Sequence, residues 1–232
     1  MHTNRKPHST PRLVVLSGRK ASGKDTLAPA VMSAFGHDNP TYLSFADPLK
    51  DEVDLFIQAC REAASRDEAS QKIAALDGVD PMTSAERSTL VDILYDTSQD
   101  PAEHARSHSV NAVRALQYYG TEVRRTADPN YWVEKARTSA RKALARGSAC
   151  VFTDARFPNE VTGLKQEGAF TIRLEVSPEV QKERLLGRDG HIPTQYTLGH
   201  SSETALDGFT GFDVIVDTSH RTPEEIVDEI LK

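Results

Sequence analysis

The chain alternates short apolar runs with longer amphipathic stretches. Five runs have strand length: Arg12–Ser17, Thr41–Phe45, Ala149–Thr153, Ala169–Val176 and Phe212–Val216. Apolar content carried along whole runs predicts strands buried on both faces rather than on one. Between and around them, helical spacing covers Lys24–Phe35, Pro48–Arg61, Val110–Arg125, Tyr131–Arg146, Pro158–Glu167, Pro178–Gly187 and Pro223–Leu231. Pro158, Pro178 and Pro223 stand at helix starts, where a missing N–H leaves no bond unmade. Strands separated by helices predict an α/β fold, a five-stranded, mostly parallel sheet flanked by helices.

Glu62–Ser109 breaks this rhythm. The segment is rich in Ala, Ser, Asp, Glu and Arg, and only Ser84–Tyr95 keeps helical spacing, through Leu90, Val91 and Leu94. It reads as a helical insertion or mobile flap, with disordered linker as the plain alternative. The expected organisation is a disordered tail at 1–11 and a single domain over 12–232. That domain carries the insertion at 62–109 and a lid-like loop at 188–201.

Composition narrows the partners. A length of 232 residues suits one α/β domain with insertions. The net charge of −6 leaves no basic surplus to neutralise a nucleic-acid backbone. Cys60 and Cys150 offer no disulfide framework, so a reducing, cytoplasmic compartment is expected. No apolar run approaches membrane-spanning length, and Met1–Pro11 lacks a signal-peptide core.

Candidate chemistry begins where the first strand ends. Gly18-Arg19-Lys20-Ala21-Ser22-Gly23-Lys24-Asp25-Thr26 has the Gly-x4-Gly-Lys spacing of a phosphate-binding loop. Gly18 and Gly23 let the backbone approach an anion closely, and Lys24 adds a mobile positive charge. The residue after the lysine in such loops is Ser or Thr, whose hydroxyl binds magnesium; here it is Asp25, followed by Thr26. Asp25 can hold Mg2+ through water, cap the loop or favour the positive helix end, and Thr26 can supply the hydroxyl instead.

Four further clusters extend the set. Asp47 and Lys50, in Phe45-Ala46-Asp47-Pro48-Leu49-Lys50, open a helix after the second strand, where ligands of such sheets bind. Lys50 can hold a substrate phosphate; Asp47 can position metal or simply cap. Asp154 ends the third strand, the place of a magnesium-organising carboxylate, and Arg156 has the fork suited to phosphate or to a surface ion pair. In Leu116–Arg125, Tyr118 can stack on a base and Gln117 or Glu122 can read its edge. Arg124 and Arg125 can take a monophosphate. Trp132 nearby can meet a base or pack in the core. Arg184 and Arg188 share one helix face before a Gly-, Thr- and His-containing loop, as a phosphoryl-neutralising lid or as a solvated surface. His200-Ser201-Ser202-Glu203 reads as a short helix cap.

Taken together, Gly18–Thr26, Phe45–Lys50, Leu116–Glu122, Asp128–Val133, Thr153–Glu160 and His200–Glu203 resemble the phage-type deoxynucleoside monophosphate kinases. The resemblance spans most of Arg12–Asp217 and is weakest over Glu62–Ser109. It implies ATP- and Mg2+-dependent phosphorylation of a deoxynucleoside 5′-monophosphate, in support of DNA precursor synthesis. The Gly-Lys-Asp-Thr ending, unusual for phosphate loops at large, is normal for this family.

Under that resemblance Gly18, Arg19, Ala21, Ser22, Gly23, Lys24, Asp25 and Thr26 hold ATP, with Asp25, Thr26 and Asp154 near the metal. Lys50, Arg124, Arg125 and Arg156 align the acceptor phosphate, and Arg184 or Arg188 neutralises charge in transfer. The loop through Ser219 and Arg221 meets adenine. The expected partner is a small-molecule nucleotide, with no nucleic acid and no membrane; a homodimer stays open, and the compartment is the cytoplasm, the host's if the chain is phage-encoded.

Animal-type phosphomevalonate kinases are also similar, through Ser17–Asp25, Pro48-Leu49-Lys50, Ser202-Glu203 and Phe212-Asp213. Asp47 and the Leu-Gln-x-x-Gly-Thr-Glu run favour the nucleotide kinases. A nucleotide-gated binding module is the non-catalytic alternative; a passive binder has no need of Asp154, Arg156 and the lid-like arginines.

Overall fold

The structure is a computed structural model that describes residues 10–232 apart from 97, 99, 101–103, 107, 108 and 191–200. Residues 191–200 of the lid-like loop expected at 188–201, and most of the expected tail, therefore fall outside the described residues. The chain forms two compact units: Met1–Phe45 with Val133–Lys232, and Ala46–Trp132.

The first unit is an α/β layer structure. Strands β1 (Leu13–Gly18), β2 (Thr41–Leu43), β3 (Cys150–Ala155), β4 (Phe170–Glu175) and β5 (Val214–Asp217) form one parallel sheet in the order β2-β3-β1-β4-β5. Every residue of the central β1 is buried. Side chains alternate across a strand, so β1 divides between two cores. Val14 and Leu16 cluster with Leu27, Ala28 and Val31 of α1 (Lys24–Ala34) on one face. Leu13 and Val15 cluster on the other with Ala136 and Ala140 of α6 (Tyr131–Ala145) and Val161 and Leu164 of α7 (Pro158–Gln166). Each such buried side chain contributes about 1.5–3 kcal/mol relative to exposure. The unbroken apolar pattern of β1 is thus the signature of a strand covered on both sides.

The second unit is helical: α2 (Asp47–Arg61), α3 (Arg66–Ala74), α4 (Ser84–Leu94), α5 (Val110–Gln117) and a π-helical segment, Tyr118–Arg125. Ser65 caps α3 by accepting from the Glu68 N–H, and Thr83 with Glu86 forms a capping box on α4. Val53, Phe56, Leu90, Leu94, Tyr119 and Trp132 share one core. The helical body is therefore wider on both sides than the 62–109 insertion the sequence suggests. The apolar stripes of α2 and of Val110–Arg125 close on α3 and α4, so the linker-like middle has a core to pack on.

Val110–Arg125 is also not one α-helix. It changes to π-helical winding at Tyr118. At Gly120 a Cβ would lie 2.8 Å from the Leu49 Cδ2, so any larger residue requires the Leu49 side chain to shift. The Gly120 carbonyl accepts from the Trp132 indole at 3.0 Å, which satisfies a group that wider winding exposes. Among the described residues no helix is long and apolar enough to cross a membrane.

Candidate active site

The turn from β1 into α1 lines one wall of a cavity. A Cβ on Gly18 would stand 2.3 Å from the Ser22 Oγ and 2.7 Å from the Leu174 carbonyl oxygen, so the loop closes only on glycine. Ala21 has φ 61° and Gly23 φ 92°, both left-handed. For alanine that conformation is strained and persists only where neighbours fix it.

Here they do. Gln181 donates to the Lys20 carbonyl at 2.9 Å, and the Arg184 Nη1 to the Ala21 carbonyl at 3.3 Å. Thr218 donates from Oγ1 to the Ser22 carbonyl at 3.1 Å. Arg19 pairs with Asp207, and the Lys20 N–H donates to Glu203 at 3.0 Å. Of these anchors, Gln181, Thr218, Asp207 and Glu203 were not legible as site residues. They are 161 to 196 positions from their partners, and only Glu203 stands in a motif the sequence offered.

Lys24 is buried and folds back over the loop, donating to the Gly18 carbonyl at 2.8 Å and the Arg19 carbonyl at 3.0 Å. Its pKa falls to about 8, first through burial and then through Arg156, with Asp25 and Glu203 partly restoring it. Arg173 is also pulled below its usual value by burial, despite its ion pair with Asp207. Arg156 and Arg173 thus lie near enough to Lys24 to disfavour its charged form, a disposition that favours an arriving anion.

A cavity of about 660 Å³ opens here. It is lined by Lys20–Leu27, by Thr153, Asp154 and Arg156 after β3, by Arg184 and Arg188 of α8 (Pro178–Asp189), and by Thr218, Arg221, Pro223 and Ile226. All these residues belong to the sheet unit. Lys24, Asp154, Arg156, Arg184 and Arg188, scattered through the sequence, are therefore brought to one hollow at the carboxyl ends of the strands. Ser22 Oγ is buried with no hydrogen-bond partner among the described residues, and its loop fits a phosphate chain by size and charge.

Magnesium has a thinner set of donors. Asp25, Thr26 and Asp154 line the cavity. Asp154 already accepts from the Ser44 hydroxyl at 2.5 Å and the Phe45 N–H at 3.1 Å. No group of three or more His, Cys, Asp or Glu able to hold a metal occurs among the described residues. A hydroxyl and one or two carboxylates, completed by phosphate and water, is how Mg2+ is held in nucleotide sites, and these three residues fit that pattern.

The expected acceptor-side residues Asp47, Lys50, Gln117, Tyr118, Glu122, Arg124, Arg125 and Trp132 all belong to the helical unit. Gln117 and Glu122 are exposed; Lys50, Tyr118 and Arg125 are half-buried. Asp47 pairs with Arg106 at 3.5 Å.

Two expectations need correction. Trp132 is 2 % exposed, stacked edge-on against Tyr119 and Tyr131, and cannot meet a base without unpacking the core. Arg124 is buried: its Nε donates to the Tyr119 hydroxyl at 2.8 Å and its Nη1 and Nη2 to the Pro81 and Asp80 carbonyls. Its guanidinium lies over the Tyr119 and Tyr131 rings at 4.9 and 5.1 Å. Tyr119 in turn donates to Glu52, and its own pKa rises through burial and that carboxylate. A buried guanidinium with three donors on protein groups and two aromatic rings beneath it is a core strut, not an open phosphate ligand.

The described residues define an α/β chain with a five-stranded parallel sheet and a glycine-rich loop facing a cationic cavity. No family model matches the chain, and no curated protein does. Solved structures similar to it include an unliganded sugar kinase from Janibacter sp., at TM-score 0.48 and 16 % identity over 95 % of this chain and 92 % of that one. A gluconokinase from Sinorhizobium meliloti gives TM-score 0.45 and 17 % identity over 97 % and 91 %. Dephospho-CoA kinase from Campylobacter jejuni gives 0.40 and 12 % over 96 % and 95 %. Likenesses this distant assign no activity.

Proposed function

We propose that this chain is a phosphotransferase that uses ATP and Mg2+ to phosphorylate a deoxynucleoside 5′-monophosphate. The carrying observation is the closed glycine-rich loop with Lys24, Arg156, Arg184 and Arg188 on one cavity. Loop amides and Lys24 hold the phosphate chain. ATP supplies the transferable phosphoryl group, and Mg2+, near Thr26, Asp25 and Asp154, supplies charge neutralisation. Arg156 and Arg188 add positive charge where a phosphoryl group in flight spreads negative charge. No covalent intermediate is needed; positioning and electrostatics supply the rate.

A nucleotide acceptor is favoured by Asp47 and by the Leu116–Glu122 run, whose Gln117, Tyr118 and Glu122 keep accessible surface. A coupled ATP assay over the common deoxynucleoside monophosphates, with phosphomevalonate beside them, tests the reading. Turnover of at least one deoxynucleotide and none of phosphomevalonate is expected. Turnover of phosphomevalonate alone transfers the assignment to the other kinase family. Binding of ATP with no acceptor turned over leaves a nucleotide-gated module.

A further inference from the structure

Glu203 has no role in the proposed transfer so far, yet its carboxylate is 7 % exposed beside the cationic cavity. It sits on the short helix Ser201–Thr204. One oxygen accepts from the Lys20 N–H of the glycine-rich loop at 3.0 Å. The other accepts from Nη1 of Arg156 at 2.9 Å. Lys20 and Arg156 both line the cavity; Glu203 does not. The carboxylate therefore reaches the two walls from outside and joins them, across 183 and 47 residues of sequence.

Burying a carboxylate is costly unless its partners are charged and well placed. Glu203 has one of each kind, a guanidinium and a backbone N–H. Arg156 is itself fixed at its backbone, where its N–H and that of Phe157 donate to the buried Glu160 at 2.6 and 3.1 Å. The backbone is thus set by Glu160, and the direction of the guanidinium by Glu203. Four residues on from Glu203, Asp207 repeats the device, holding Arg19 of the loop and Arg173 of β4.

We propose that Glu203 is a positioning residue of the phosphoryl-transfer site, acting through Arg156: it fixes the guanidinium and the Lys20 amide in one arrangement before substrate arrives. This deepens the phosphotransferase reading and rests on it. Without the carboxylate, Arg156 swings free and must be ordered at the moment of reaction, so the loss falls on turnover more than on ATP binding.

The test is a double-mutant cycle on the full chain with Glu203→Gln, Arg156→Ala and the pair, scored by kcat, by KM for ATP and by melting temperature. Glu203→Gln should lower kcat roughly 10- to 100-fold and change KM for ATP less than about threefold, the pattern of a lost transition-state interaction. In the Arg156→Ala background the same change should cost less than about threefold more, because the group it positions is gone. Glu203→Asp, which keeps the charge, should recover part of the loss. It replaces Glu203→Gln in the cycle if that variant melts below the assay temperature.

Losses that multiply in the double variant, or a Glu203→Gln enzyme within twofold of wild type, overturn the proposal. If the wild-type chain phosphorylates no acceptor, the kinase reading fails alone and the cycle is scored by melting temperature instead: Glu203→Gln should lower it clearly less in the Arg156→Ala background than in wild type, and equal shifts in the two backgrounds overturn the coupling.

Discussion

Arg184 in the sheet unit and Arg124 in the helical unit look alike in sequence: each sits on a predicted helix, near other cations, as a phosphate candidate. Arg184 is half-buried on a cavity wall, and its guanidinium also ties Thr218 and Ala21 together. Arg124 is 5 % exposed and commits its donors to Tyr119, Asp80 and Pro81. The sheet unit collects cations around space; the helical unit collects aromatics and a carboxylate around a cation and leaves none. A charged side chain serves a ligand where backbone geometry keeps a hollow open, and serves the fold where apolar neighbours close over it.

That contrast breaks most directly at Lys24. Lys24→Ala removes the charge expected to follow the transferring phosphoryl group, and should cost roughly two to four decades of kcat. Near-normal turnover in a folded variant would mean the hollow in the sheet unit is not the reaction site.

Arg124→Ala tests the other side. It leaves the Tyr119 hydroxyl and the Asp80 and Pro81 carbonyls without their guanidinium donor inside the core. We expect a loss of about 3 kcal/mol in urea-unfolding free energy, from unsatisfied buried groups and lost packing. Unchanged stability with a raised KM for the acceptor would return Arg124 to the phosphate ligands and erase the difference between the units.

Asp154→Asn keeps the shape and can still accept from the Phe45 N–H through Oδ1, with Nδ2 donating to the Ser44 hydroxyl, but removes the charge facing the cavity. A hard cation then binds more weakly. The magnesium needed for half-maximal rate should rise roughly tenfold, the effect of about 1.4 kcal/mol. A magnesium titration that overlays wild type reduces Asp154 to a strand-end strut, like Arg124 a residue of the fold.

The smallest effect sharpens the same point at the surface of the sheet unit. Glu167 is held down to about 2 by Arg141 and Arg137, both bonded to its carboxylate. A depressed carboxylate adds stability above its unfolded value, near 4.5, and that increment is lost as pH falls towards 2. The acid limb of the stability curve should therefore be shallower in Glu167→Gln, most visibly between those values. Identical limbs would show that this half-buried pairing carries no weight beside the buried network of the helical unit.

The sheet and its loop were legible because their cause is local. A strand covered on both faces must be apolar throughout, as Leu13–Leu16 is, and a backbone cradle needs glycine at fixed spacing, as at Gly18 and Gly23. The sequence by itself therefore determined the parallel α/β order, the place of the glycine-rich loop, and Lys24, Asp154 and Arg156 as residues of one strand-end rim. Only the tertiary structure decided that Trp132 and Arg124 lie inside a core, that Ala46–Trp132 closes as one helical body, and that Glu203 and Asp207 hold the loop from afar. Periodicity tells which face of an element is apolar, but not how deeply its partner covers it. A carboxylate 183 residues from the amide it accepts leaves no periodic trace at all.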